Sequence, residues 1–152
     1  MQTFHAWPRR PLSWSFDIAV DGDVVTTLDL AWFGSAASFE LGGYRYDLQR
    51  APGFGEFQLV GPMGVLATAT KPNLFVRRYD VEVDRHRYTL AAAAPIARRF
   101  VLTEDERIVG DVTPDAPIAR RCGATWPEDM ALAVRVFLLW LVVLQWRRAA
   151  RR

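Results

Sequence analysis

From Met130 to Trp146 the chain runs seventeen residues with almost no polar interruption, between Glu128-Asp129 on one side and Arg147-Arg148-Ala149-Ala150-Arg151-Arg152 on the other. A helix that is apolar on every face must be surrounded by lipid or by protein, so this segment constrains everything before it. A membrane crossing needs about 20 apolar residues for a core of about 30 Å. This run is shorter, and it carries Arg135 and Gln145. A charge at that depth costs about 2.5 kcal/mol or more, and a C-terminal anchor would also carry the terminal arginines across the membrane, against the positive-inside tendency. The N-terminal stretch Met1 to Pro11 has neither the apolar core nor the cleavage site of a signal peptide. The expectation is a cytoplasmic chain, peripheral to a membrane if it meets one, with no constitutive span and a C-terminal helix buried in protein.

The helix is expected over residues 126–147. Thr125-Trp126-Pro127-Glu128 reads as a capping box, with Thr125 as N-cap, Glu128 at the third helical position and Pro127 in the first turn. Glu128 and Asp129 would complement the positive end of the helix dipole, and Arg147 and Arg148 the negative end.

At 152 residues the chain is read as one domain with a substantial core: a short arm over 1–10, strands over 11–123, the helix, and a basic tail over 148–152. Its single cysteine, Cys122, excludes an intrachain disulfide and reads as a small buried hydrophobe. The net charge is +2, and no run of like charge is long enough for a nucleic-acid arm, so no nucleic-acid partner is expected.

The body is a series of short alternating segments. In Ser13 to Val20 the large apolar residues Trp14, Phe16, Ile18 and Val20 fall on even positions, the period of a half-buried strand, and Asp21-Gly22 supplies a hairpin turn. Val24 to Trp32 returns. Further pairs follow around Gly42-Gly43, Gly61-Pro62-Met63-Gly64, Asp84-Arg85-His86-Arg87 and Glu104-Asp105-Glu106, and Ile118 to Cys122 precedes the helix. About eleven or twelve strands at this spacing point to a mainly β fold, a sandwich or barrel. Closure removes exposed sheet edges. A barrel of about twelve strands is too wide for its own side chains to fill. The apolar helix would fill it.

The order of these elements resembles the tubby C-terminal-like superfamily, which includes tubby proteins, phospholipid scramblases and LURP-one-related proteins. The resemblance rests on Trp14-Ser15-Phe16-Asp17-Ile18, Phe57-Gln58-Leu59-Val60, Leu66 to Lys71, Arg99 to Leu102, Ile108 to Val112 and the C-terminal helix. It implies a closed antiparallel barrel of about twelve strands around a central helix, and a minimal single-domain member. It also implies, from tubby proteins, binding of phosphoinositide headgroups through basic residues. The chain departs from scramblases where Thr113-Pro114-Asp115-Ala116-Pro117 stands in place of an acidic calcium loop, and the extra N-terminal modules of tubby proteins and scramblases are expected to be absent.

Little in the chain suggests catalysis. His5 and His86 are the only histidines, too few with one cysteine for a zinc site, and Asp21-Gly22-Asp23 lacks the rest of a calcium loop. No enzyme activity, metal or cofactor is expected. The candidate anion-binding residues are Lys71, Arg77 and Arg78, in a stretch where cations alternate with aromatics. With Phe75, Tyr79, Val81 and Val83 as the inward set, Arg77 would point inward and Arg78 outward with Asp80 and Glu82. Arginine suits phosphate because its fork donates two parallel hydrogen bonds, although a backbone-capping Arg77 and a solvated Arg78 fit the same pattern. Arg98-Arg99 and Arg120-Arg121 are further candidates, and Arg135 should lie near an open end of the barrel with a partner. The expected function is a non-enzymatic binding or scaffolding module for anionic phospholipid headgroups or a protein partner. The alternatives are a C-terminally membrane-anchored protein and an empty-lumen carrier, and the carrier would tolerate loss of residues 129–152.

Overall fold

The computed structural model describes residues 2–11, 13–31, 34–52, 55–73, 75–117 and 119–151. Trp32 and Ile118, expected as strand ends, and the tail residue Arg152 lie outside the described residues. Twelve strands close into one antiparallel barrel: β1 (Phe4–Pro8), β2 (Phe16–Val20), β3 (Asp23–Leu30), β4 (Ala37–Leu41), β5 (Tyr44–Arg50), β6 (Glu56–Gly61), β7 (Gly64–Thr70), β8 (Arg78–Val83), β9 (His86–Ala92), β10 (Phe100–Glu104), β11 (Arg107–Pro114) and β12 (Cys122–Thr125). Each strand pairs with its sequence neighbours, and β1 pairs with β12 to close the ring. One helix, α1 (Leu132–Ala150), follows.

The connections alternate in kind, and this gives the barrel two unlike ends. At one end the links are tight: Asp21-Gly22, Gly42-Gly43, Pro62-Met63, Asp84-Arg85 and Asp105-Glu106. Asp21 and Gly22 take φ of 52° and 86°, and Gly42 and Gly43 take 57° and 81°, the left-handed pair that matches strand twist in a two-residue hairpin. At the other end the links are longer, and we call this the loop end. Register shifts at Ile18/Ala19, Leu59/Val60 and Leu102/Thr103 are bulges that bend alternate hairpins around the barrel.

Inward positions carry Phe4, Phe16, Ile18, Leu28, Phe39, Leu48, Phe57, Leu59, Tyr79, Val81, Leu90, Phe100, Leu102 and Val112, all buried, in one cluster with the helix. The helix has no polar stripe because it has no solvent side: Val136 to Val143 are fully buried. Nineteen residues at 1.5 Å each span about 28 Å, enough to run the height of the barrel. Trp140 lies at its middle, against Phe57 (5.7 Å between ring centres) and Phe137 (6.0 Å), with its indole N–H donating to Ser35 O at 3.0 Å. The helix is thus the plug expected from its composition, and no helix among the described residues is long and apolar enough to cross a membrane.

Several boundaries differ from expectation, among them that of the last strand, expected to end at Cys122, which instead begins there, as β12. The segment read as an arm contains β1, whose Phe4 and Ala6 point inward; two inward positions are too few to register as an alternating pattern. The helix starts at Leu132, not at residue 126. Thr125 pairs with Asp111 in β12, which holds it extended and unavailable as a cap, and Ala131 occupies the N-cap without a side-chain hydrogen bond. Glu128 and Asp129 therefore lie in the crossover, and the first helical turn is not acidic. At the other end the helix continues through the supposed tail to Ala150, since Ala149-Ala150 are strong helix formers and Arg147 and Arg148 complement the negative pole.

The polar groups of the crossover are collected by Arg135. Its Nε donates to Met130 O at 2.9 Å, its Nη2 to Glu128 O at 3.0 Å, and its Nη1 to Gln2 Oε1 at 2.5 Å. The cation is buried near the tight-turn end, where the helix enters. Hydrogen bonding to carbonyl groups compensates its burial.

Candidate functional site

The helix enters at the tight-turn end and leaves at the loop end, so its last turns meet the connections β3–β4, β5–β6 and β7–β8. Between them opens a cavity of about 820 Å³ lined by Gly34, Ser35, Arg50, Ala51, Pro52, Gly55, Phe57, Lys71, Asn73, Tyr79, Leu144, Gln145, Arg147, Arg148 and Arg151. Five of these residues are cationic and none is acidic. Gly55 makes the close approach that shapes one wall: its φ is 68°, its carbonyl accepts from Lys71 N at 2.7 Å, and a Cβ there would stand 2.9 Å from Lys71 O.

The deeper wall joins helix to strand. Gln145 Nε2 donates to Tyr79 Oη at 2.7 Å, and burial pushes the Tyr79 phenol above its usual range despite that bond. Arg147, almost wholly buried, donates to Gly34 O (3.1 Å) and Ala31 O (3.2 Å) and so holds the β3–β4 connection against the helix. Burial, with Arg151 close by, lowers its pKa from the usual arginine value. Arg50 lies over the Phe57 ring at 5.5 Å. Arg148 and Arg151 have no ion pair among the described residues and complete the rim at the helix end.

Of the three residues singled out from the sequence, the structure brings only Lys71 to this cavity. Arg77 precedes β8 and donates through Nη1 to Pro95 O at 3.0 Å, with its guanidinium 5.4 Å over the Phe100 ring. Arg78 is exposed and pairs with Asp80 at 3.6 Å. Phe75, expected on the inward face, is 93% exposed, because β8 begins at Arg78 and Phe75 belongs to the preceding connection.

Arg77 is one of three arginines built alike. Arg98 Nη1 donates to Pro117 O at 2.7 Å and lies 4.9 Å over Trp146; Arg120 donates to Pro11 O and Ser13 O and lies 5.0 Å over Trp14. Each reaches from its own connection to the next one at the loop end and covers an aromatic ring. The residue after each pairs with a carboxylate: Arg78 with Asp80, Arg99 with Asp111, Arg121 with Asp115. These pairs fasten the rim from β7 round to β2 and leave the cavity on the opposite side.

Arg50, Arg147, Arg148 and Arg151 escaped sequence reasoning because their convergence depends on closure. One signal was available. The pairs starting at Arg77, Arg98 and Arg120 are 21 and 22 residues apart, the length of two strands with their links, so in a meander they return to one end. Arg9-Arg10 and Arg147-Arg148 join them there. The tight-turn end instead carries Asp21, Asp23, Glu40, Glu82, Asp84, Glu104, Asp105, Glu106, Glu128 and Asp129 against Arg45, Arg85, Arg87, Arg107 and the buried Arg135. A net charge of +2 therefore conceals a molecule with one basic and one acidic end.

Other reactive groups lie away from the cavity. Cys122 is buried, and burial pushes its thiol up to about 12. His86 stands at the acidic end with Nδ1 2.8 Å from Glu104 Oε2. No group of His, Cys, Asp and Glu among the described residues is arranged to hold a metal ion. No protein-family model, curated protein or solved structure matches the chain.

Proposed function

We propose that the protein is a non-enzymatic binding module whose cationic mouth takes a phosphate-bearing anion, either a phospholipid headgroup or a soluble phosphorylated compound. The observation that carries this reading is the cavity wall itself, where Arg50, Lys71, Arg147, Arg148 and Arg151 converge with no carboxylate among the lining residues. Convergent cations focus an anionic ligand, and arginine forks grip phosphate oxygens in pairs. The tubby-like affiliation is likewise our proposal, supported by the order of twelve antiparallel strands followed by an enclosed helix.

The test is calorimetric titration of the full chain with inorganic tripolyphosphate. Arg148→Ala combined with Arg151→Ala removes two rim cations while leaving the Arg147 contacts to the β3–β4 connection in place. We expect affinity to fall about tenfold or more, corresponding to about 1.4 kcal/mol, and to weaken with added salt. Equal affinity for the wild type and the double variant would remove the mouth from consideration.

A further inference from the structure

We infer that the loop end of the barrel docks onto an anionic lipid bilayer, with Phe75 and Ile96 entering the interface while the cationic mouth faces the headgroups. This rests on the phosphate-binding reading of the mouth and specifies where its phosphate comes from.

Phe75 and Ile96 are each 93% exposed, and each stands on a small turn that holds it outward. The Asn73 carboxamide oxygen accepts from the backbone N–H groups of Phe75 (2.9 Å) and Val76 (3.0 Å). Ala97 N donates to Ala94 O at 3.1 Å, closing a turn with Pro95 and Ile96 at its tip. The Arg77 bond to Pro95 O ties these two connections together, so both tips occupy one sector of the rim. Asn73, at the base of the first turn, also lines the cavity. Large apolar side chains placed on rigid tips beside a cationic concavity are suited to a surface that is apolar within and negative outside, where interfacial burial and attraction to anionic lipid act together.

Charge decides which end faces the bilayer. Most of the other exposed large apolar residues, among them Val24, Tyr44, Met63, Val65 and Ile108, lie on the hairpins of the tight-turn end, but they stand among its acidic residues. A negative membrane repels that end and attracts the other. Near the loop end, Asp17, Asp80, Asp111 and Asp115 are each matched by an arginine, Arg9, Arg78, Arg99 and Arg121, and the two further carboxylates there, Asp29 and Glu56, are outnumbered by the five cations of the mouth.

Because Cys122 is buried with its thiol pushed up to about 12, a cysteine introduced at the surface can be labelled selectively. Phe75→Cys and, at the opposite end, Ile108→Cys are each labelled with an environment-sensitive fluorophore and mixed with phosphatidylcholine vesicles containing about a third phosphatidylserine. The label at position 75 should brighten and shift to the blue; the label at 108 should not change. Pure phosphatidylcholine vesicles should leave both unchanged. In co-sedimentation, Phe75→Ser with Ile96→Ser should weaken partitioning about tenfold, with tripolyphosphate binding retained. A silent label at 75, equal responses at both positions, or unchanged partitioning of the double variant would overturn the docking. Retained tripolyphosphate binding would then show that the mouth reading stands without it; loss of both would remove both.

Discussion

Gln145 on α1 and Tyr79 on β8 share a 2.7 Å hydrogen bond inside the barrel, joining the plug to its wall at the floor of the cationic cavity. Both residues are buried, so each depends mainly on the other for a hydrogen-bond partner. Gln145→Leu should cost about 1–3 kcal/mol, because it leaves the Tyr79 hydroxyl desolvated and unmatched. Tyr79→Phe should recover most of that loss in the double variant, since removing both partners costs less than stranding one. Denaturant unfolding of the wild type, both single variants and the double variant gives the coupling, and additive losses would show that the bond does not act as a pair.

Arg98 tests the rim fastening. Arg98→Lys keeps a cation but loses the planar fork that reaches Pro117 O and covers Trp146. The expected loss is about 1–2 kcal/mol, with faster hydrogen exchange confined to the β9–β10 and β11–β12 connections. Unchanged exchange there would mean that the clasp does not order the rim.

The acidic end carries a pH-dependent contact. The hydrogen bond to Glu104, and then the charge of Glu104, raise the His86 pKa above its usual 6.5. A raised folded-state value means that the protonated form favours folding. The contribution is therefore present in full below pH 6.5 and is lost as pH climbs through the raised value. Glu104→Gln should narrow the gap to the wild type as the solution becomes alkaline, and should return the His86 ring resonance in NMR titration toward its ordinary midpoint. A stability difference constant between about pH 5 and pH 9 would contradict this assignment.

Much of the fold was legible because its signals are local. The hairpin turns at Asp21-Gly22 and Gly42-Gly43 need left-handed backbone that their residues supply, and alternation in Phe16 to Val20 survives burial on one face. The helix was legible from what it lacks, a polar stripe. Its start was not: whether Thr125 caps a helix or completes a strand depends on Asp111, a partner fourteen residues earlier in sequence, and the ladder wins. β1 was hidden for a similar reason, since a five-residue strand at the barrel seam gains its identity from β12. The candidate site was least legible. Lys71 was found by its local setting, but Arg50 and Arg148 come together only when the sheet closes and the helix has threaded it. The period of about 21 residues between arginine pairs carried the missing information, as a statement about ends rather than about strands.

The seam between β1 and β12 also dictates an order of assembly. Phe4 pairs with Ala124, so the first stave of the barrel must wait, as the chain emerges from the ribosome, for the twelfth. The helix that fills the lumen is made later still. Throughout synthesis the apolar lining lacks both its closing edge and its filling, and contacts this distant in sequence form slowly. Any sheet that forms before then presents an uncovered apolar face, the surface through which incomplete chains of this architecture would associate.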